Sequence, residues 1–283
     1  MVPSVIDPEV LHRLGALPGV PEAVAAARTA CTELRWHQAL RRRTAEAAAE
    51  SSVRAARASA VLEGAELPVA LVRDQLRGAR PLPADAVGAT VAGALRATVE
   101  AGRLGALTRR APAQALARLH TAAAAGLVPD DALGRPRRDG ELPRDLGGSR
   151  RPAPSPPEVT ARLEALSGLL SASGDVPALV LAAVAHGEVL VLRPFLAGSG
   201  VVARALFRAV VVDRGLDPTG VAVPEAALAS AGLEAYTRAL AGYAAGSADG
   251  VAAWLRFCAG AVTTGAAEGG AVADAVLAGR LPS

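Results

Sequence analysis

The chain has 283 residues, 51% of them hydrophobic but only 2% aromatic, so it can bury a large core but must build it from Ala, Val and Leu. All 30 basic residues are Arg, yet the formal net charge is only +3. No basic surface interleaved with aromatics is visible, so nucleic acid is not an expected partner. The two cysteines, Cys31 and Cys258, lie far apart with no C-x-x-C or Cys/His spacing, which excludes a zinc module and reads as two small buried hydrophobes.

The opening MVPSVIDPEVLHR has no charged segment followed by an apolar run, so no signal peptide is expected. Pro21 to Ala58 reads as one long helix or two in series, with Trp36 on an apolar face and Arg41-Arg42-Arg43 on a solvated one. ARASAVLEG closes that stretch. Gly64 suits a helix C-cap and Pro68 the start of the next helix. Residues 68–78 and 83–106 read as two further helices, and 111–126 as another, ended by Gly126.

Residues 129–158 form the one long polar stretch, rich in Pro, Gly and Arg, and read as a surface loop. Helices are expected again over 157–172 and 175–192, the second apolar on every side and so central to the core. The longest apolar stretch, Val176 to Ala185, is well short of the roughly 20 residues a membrane span needs. A membrane is therefore not an expected partner, and a cytoplasmic location is. A helix over 201–213 places Arg204 and Arg208 one turn apart, and at least two helices follow it. No βαβ pattern or internal repeat appears. The fold class is all-α.

Between the last two core helices lies LRPFLAGSGVVAR, residues 192–204. Gly198-Ser199-Gly200 feeds a helix N-terminus, where backbone N–H groups can hold a phosphate. The stretch contains no His, Asp, Glu or Lys, so the usual catalytic side chains are missing.

Residues 185–204, AHGEVLVLRPFLAGSGVVAR, resemble the core motif of the Fic (Fido) domain family. In that family a helix ending in A-H-x-x-F-x-x-I leads into H-P-F-x-[D/E]-G-N-G-R-x-x-R. Ala185, His186, Leu192, Pro194, Phe195, Gly198, Gly200 and Arg204 match it in order and spacing. SAVLEG, Ser59 to Gly64, resembles the family's inhibitory-helix motif [S/T]-x-x-x-E-[G/N]. Weaker likenesses at LARLHTAAAAG, at the loop 135–157 and at the C-terminal AYTRALAGYAAG extend the resemblance to residues 45–265.

The resemblance implies a helical bundle, with a small β-hairpin flap near 135–155. It implies an N-terminal region 1–108 carrying the inhibitory-helix motif, a core 109–245 and C-terminal helices 246–283. Active members move AMP from ATP to a protein hydroxyl. The motif His is the general base, the acidic residue holds Mg²⁺, and the loop and arginines hold phosphate. Here Arg193 stands at the general-base position, Ala197 at the metal-ligand position, Ser199 at the Asn and Val201 at the first Arg. A guanidinium does not accept a proton in proteins, and a methyl group coordinates nothing. His186 sits about 10 Å along the helix from Arg193, too far to replace the base, and His120 is expected to be structural.

No catalytic residue is therefore assigned, and Mg²⁺ is not expected. ATP is the candidate ligand, with Gly198, Ser199, Gly200, Arg204 and Arg193 as the groups that would meet it. Glu63 and Arg204 are expected to pair, as the inhibitory Glu and second Arg do in the family. The expectation is a silent member acting as scaffold or regulator on an unnamed protein. The alternative is a nucleotide-binding member with altered phosphate-group transfer. Ala-rich helix faces are compatible with a homodimer without requiring one.

Overall fold

The computed structural model describes residues 9–144, 152–172 and 177–280. Among them are thirteen α-helices. These are α1 (Glu9–Gly15), α2 (Val20–Arg35), α3 (Thr44–Leu62), α4 (Val69–Leu76), α5 (Ala86–Leu104), α6 (Leu107–Arg110) and α7 (Pro112–Ala124). After the polar stretch come α8 (Pro156–Ser171), α9 (Ala178–Leu192), α10 (Ser199–Asp213), α11 (Pro224–Ala231), α12 (Leu233–Ala245) and α13 (Ala248–Leu277). The stretch read as one helix or two in series is two, α2 and α3, parted by the 3₁₀ turn Gln38–Arg41.

The core is the antiparallel pair α9 and α10. Every residue of α10 from Ser199 to Val211 is buried, and so is nearly all of α9. Such helices have no polar face because other helices cover them all round. α3, α5 and α7 pack around α10, while α8, α12 and α13 cover α9. With so few aromatics, the covering helices come close through Ala and Gly. A Cβ on Gly93 of α5 would lie 2.0 Å from the Ala123 carbonyl oxygen of α7. One on Gly187 of α9 would lie 2.7 Å from the Tyr243 ring. That gap lets Trp254 of α13 reach into the core and donate from Nε1 to the Ala183 carbonyl at 2.8 Å.

Two local signals act as the sequence suggests. Gly64 has φ 81°. Its N–H donates to Val61 O at 2.9 Å, and Ala65 N–H donates to Ala60 O at 2.9 Å. This is the Schellman end of a helix, and it fixes where α3 stops. Pro68 caps α4 one residue before its first turn.

Two expectations are corrected. Trp36 does not face the core: it caps α2 and is 70% exposed, because the chain turns there before an apolar register can continue. The hairpin expected near 135–155 is absent among the described residues, whose one β-bridge joins Ala125 to Val128. Residues 137–144 instead spend two backbone N–H groups on the loop after α9, leaving them unavailable for a hairpin partner. Residues 145–151 of that expectation lie outside the described residues, as do 175–176 of the helix expected from 175.

Candidate functional site

The site is built on the turn between α9 and α10. Arg193 ends α9 at φ 45° and ψ 60°. It is the one non-glycine with positive φ among the described residues. A helix ends readily in this left-handed conformation, but normally on Gly or Asn, because a Cβ costs about 1–2 kcal/mol there. Strain of this kind persists only where the surroundings hold it. Here they do: Phe195 stacks on His120 at 3.9 Å with the rings within 7° of parallel.

Gly198 then turns the chain into α10 at φ 79°. The position favours glycine by its backbone alone, since an added Cβ would sit in ordinary contact, 3.6 Å from the Ala123 methyl. Ser199 opens α10 and turns its hydroxyl back to accept from Phe195 N–H at 3.3 Å. The loop is thus a closed turn delivering the start of a buried fifteen-residue helix. Gly198, Ser199 and Gly200 lie together at that N-terminus, with Arg204 further along the same helix.

His120 supports this turn from α7. Its Nδ1 accepts from Gly134 N–H at 2.9 Å. Burial pushes its pKa down to about 4, the Ala197 carbonyl opposing only part of that. Its Nε2 makes no regular hydrogen bond. A buried neutral imidazole stacked on Phe195 is a spacer rather than a base.

The polar stretch lies directly over the turn. Arg137 N–H donates to Pro194 O at 2.8 Å and Arg144 N–H to Leu196 O at 2.8 Å. The Arg137 side chain, itself buried, donates from Nε to Arg193 O at 3.0 Å and from Nη2 to Pro154 O. Arg135 holds the segment's bend by pairing both its terminal nitrogens with Glu141 at 2.9 Å. That bond, with a further one from Arg138 N–H, keeps the Glu141 carboxyl down at about 2. Nothing in the sequence separated Arg137 from the other arginines of the stretch. Its role depends on two carbonyls more than fifty residues away in the chain.

On the other side, α3 crosses α10. Arg204 is 1% exposed. It donates from Nε to Ser59 Oγ at 2.8 Å, and from Nη2 to Ser59 O at 3.0 Å and Glu63 Oε1 at 2.6 Å. Burial disfavours its charge, but Tyr236 and Glu63 together outweigh that and hold its pKa above the usual arginine value. Tyr236 in turn meets His186 Nε2 at 2.6 Å. His186 is kept neutral by burial, then by the charge of Arg204. Tyr236, on α12, is a partner that sequence reading missed, because nothing local ties it to α10. Arg208, one turn on, points elsewhere, to Glu225 of α11 at 2.9 Å.

Chemically, the site offers a helix N-terminus, arginines and the Glu63 carboxylate bound to Arg204, with Arg193 and Ala197 at the positions where the motif has its base and metal ligand. Mg²⁺ does not fit these residues: Ala197 occupies the position beside Gly198, and no cluster of three His, Cys, Asp or Glu side chains suited to a metal occurs among the described residues. Two open clefts lie apart from the turn. One of about 640 Å³ runs between α3, α11 and α13, and one of about 440 Å³ lies between α3, α4 and the end of α13. No helix among the described residues is long and apolar enough to cross a membrane.

A central helical hairpin, whose loop turns through glycine into a buried helix and whose arginine is gripped by a crossing N-terminal helix, is the architecture of the Fic-type fold. Residues 110–211 match the model of the Fic/DOC family. The structure is similar to a Fic family protein from Desulfovibrio desulfuricans, at 21% identity and a TM-score of 0.69, covering 92% of this chain and 76% of that one. It is also similar to residues 134–508 of Fic-1 from C. elegans, at 17% identity and a TM-score of 0.65, covering 89% and 71%. At such identities the likeness establishes the fold. No curated protein matches the sequence.

Proposed function

We propose that this Fic-fold protein transfers no AMP and acts as a scaffold or regulator of another protein. The observation that carries the reading is the state of Arg204. It is the surviving arginine of the motif, and it is buried and held three times by Ser59 and Glu63. AMP transfer by the family's route needs a base to deprotonate the target hydroxyl and a metal to order the phosphates. The chain supplies Arg193 and Ala197 in those places. Loss of a general base alone costs about 10²–10⁴-fold. With no activity to restrain, the Glu63–Arg204 contact reads as a helix clamp.

A second reading, phosphate or nucleotide binding without transfer, is favoured by the intact turn at Gly198 and the N-terminus of α10. Incubation with α-labelled ATP and candidate acceptor proteins separates transfer from silence. No label is expected on any protein, with or without Mg²⁺, and label transferred by the unaltered chain overturns the proposal. Calorimetry with ATP decides the second reading. The variant Arg193→His, Ala197→Asp, Ser199→Asn, Val201→Arg asks whether the scaffold can still be made to work.

A further inference from the structure

Residues 134–144 cross the α9–α10 turn as a strap that packing does not hold. Just upstream the chain is packed: Val128 and Ala132 are buried with Ala124, and Leu196 and Ala197 of the turn lie against them. From Gly134 to Arg144 the one buried residue is Arg137, and Leu142 is 76% exposed. Hydrogen bonds fix the strap instead. They run from Gly134 to His120, from Arg137 to the Arg193, Pro194 and Pro154 carbonyls, and from Arg144 to those of Leu196 and Leu127. A segment with so little buried apolar surface opens at low cost, ahead of the fold around it.

His120 holds the strap at its first residue, through a bond that admits one protonation state. Its Nδ1 accepts from Gly134 N–H, so that nitrogen carries no hydrogen and the neutral ring has its proton on Nε2. A second proton sets donor against donor and breaks the bond. It also places a positive charge in a fully buried ring stacked on Phe195. The charge that bears on the ring is that of Arg135, the next residue of the strap. Charged groups on the helices packed around α7 are engaged elsewhere: Arg96 of α5 with the Ala122 and Ala125 carbonyls, Glu100 of α5 with Arg118, Arg162 of α8 with Glu188, and Arg204 of α10 with Glu63. Arg137 and Arg193, on the strap and the turn, are cations as well. A protonated ring therefore repels the strap, and no carboxylate among the described residues bears on the ring to offset it.

We propose that His120 is an acid-sensitive catch, whose protonation releases residues 134–144 from the α9–α10 turn while the helices stay folded. A ring freed by opening takes its proton below about 6.5, the closed ring only near 4. The catch is thus at full strength above the first value and is lost as the pH falls through the second. Glu141, the strap's other titrating tie, yields later. Arg135 and the Arg138 N–H hold its carboxyl down from 4.5 to about 2, so its contribution is lost only below the first of these. Between pH 7 and pH 5 the His120 catch therefore acts on the strap by itself. Opening uncovers the Pro194 and Leu196 carbonyls and the turn that leads into α10. The inference concerns the strap and rests on neither reading of the chemistry of the turn.

Hydrogen exchange of the full chain tests this, with each rate corrected for the intrinsic effect of pH. Protection of the Gly134, Arg137 and Arg144 amides should fall at least about tenfold from pH 7 to pH 5, while amides of α9 and α10 keep theirs. His120→Asn leaves an acceptor for Gly134 N–H and takes up no proton, so in that variant the step should vanish. Glu141→Gln should retain it. In the unaltered chain at pH 7, nuclear magnetic resonance of the His120 ring should show the neutral tautomer with hydrogen on Nε2. Strap protection that does not change between pH 7 and pH 5 overturns the proposal, as does a step that survives His120→Asn or is lost in Glu141→Gln. A ring carrying hydrogen on Nδ1 overturns it whatever the variants do. So does protection lost from α9 and α10 together with the strap, which would mark global unfolding with the buried His186 as its trigger.

Discussion

Arg204 concentrates the physics of the site in one side chain. A charge this deep is tolerated because Nε and Nη2 are met by Ser59 and Glu63, although Nη1 finds no hydrogen-bond partner among the described residues, and removing one side of such a pair typically costs about 3–5 kcal/mol. The two sides differ here. Arg204→Ala removes the bonds to Ser59 and Glu63 together and leaves a cavity, so a loss in that range is expected. Glu63→Ala leaves Arg204 charged and still bonded to Ser59, so a smaller loss of about 1–3 kcal/mol is expected. The double variant should fall short of the sum by about 0.5–3 kcal/mol. Urea titrations of the three proteins check this, and additive losses would remove the clamp from the account. The Glu63 contact was the one expected from the motif at 59–64; the two bonds to Ser59 were not. Nor was the Tyr236 contribution. It comes from α12, and the sequence marks Tyr236 only as a large apolar residue in an Ala-rich helix.

At the scale of helices, the sequence was read well where caps and periodicity agreed, as at Gly64, Pro68 and Gly126. It was misread at Trp36, where composition suggested burial and a turn placed the ring in water. Over 137–144, backbone donors went to the Pro194 and Leu196 carbonyls rather than to a hairpin. Such a choice is set by partners distant in sequence. What the pattern hardly reveals is which glycines set helix spacing, and α5 provides a paired test. Gly93 faces the Ala123 carbonyl, where a Cβ would be 2.0 Å away, while around Gly102 there is nothing within 4 Å. Gly93→Ala must push α5 from α7 and should cost about 1–3 kcal/mol. Gly102→Ala should instead stabilise by about 0.5–1 kcal/mol, through helix propensity alone. Thermal melts of the two single variants decide it; a shift of the same sign in both would mean that the close approach does not govern the packing.

At the scale of the molecule, the question is whether the family region stands alone. The boundaries at 108/109 and 245/246 are those the family resemblance implies, but the buried core crosses both. It runs continuously from Leu11 through Val53, Val91 and Leu181 to Val276. Helices from before residue 109 supply the covering layer of the site. α5 lies on α7 and α10, α3 grips Arg204, and Ser51 donates to the Val221 carbonyl at 2.7 Å. Removing residues 1–108 would expose the apolar faces that α3 and α5 cover. Each Val or Leu returned to water loses about 1.5–3 kcal/mol. A handful of them equals a typical net stability of about 5–15 kcal/mol. A fragment spanning 109–283 should therefore be helical by circular dichroism but melt without a cooperative transition. In a Trp36→Phe background the full chain should lose helix and Trp254 emission in coincident steps, because the ring that reports on α13 sits against α9. A sharp melt of the fragment would instead make the N-terminal helices a separate layer docked onto a self-sufficient domain. The Arg204 clamp would then be a detachable latch rather than part of the core.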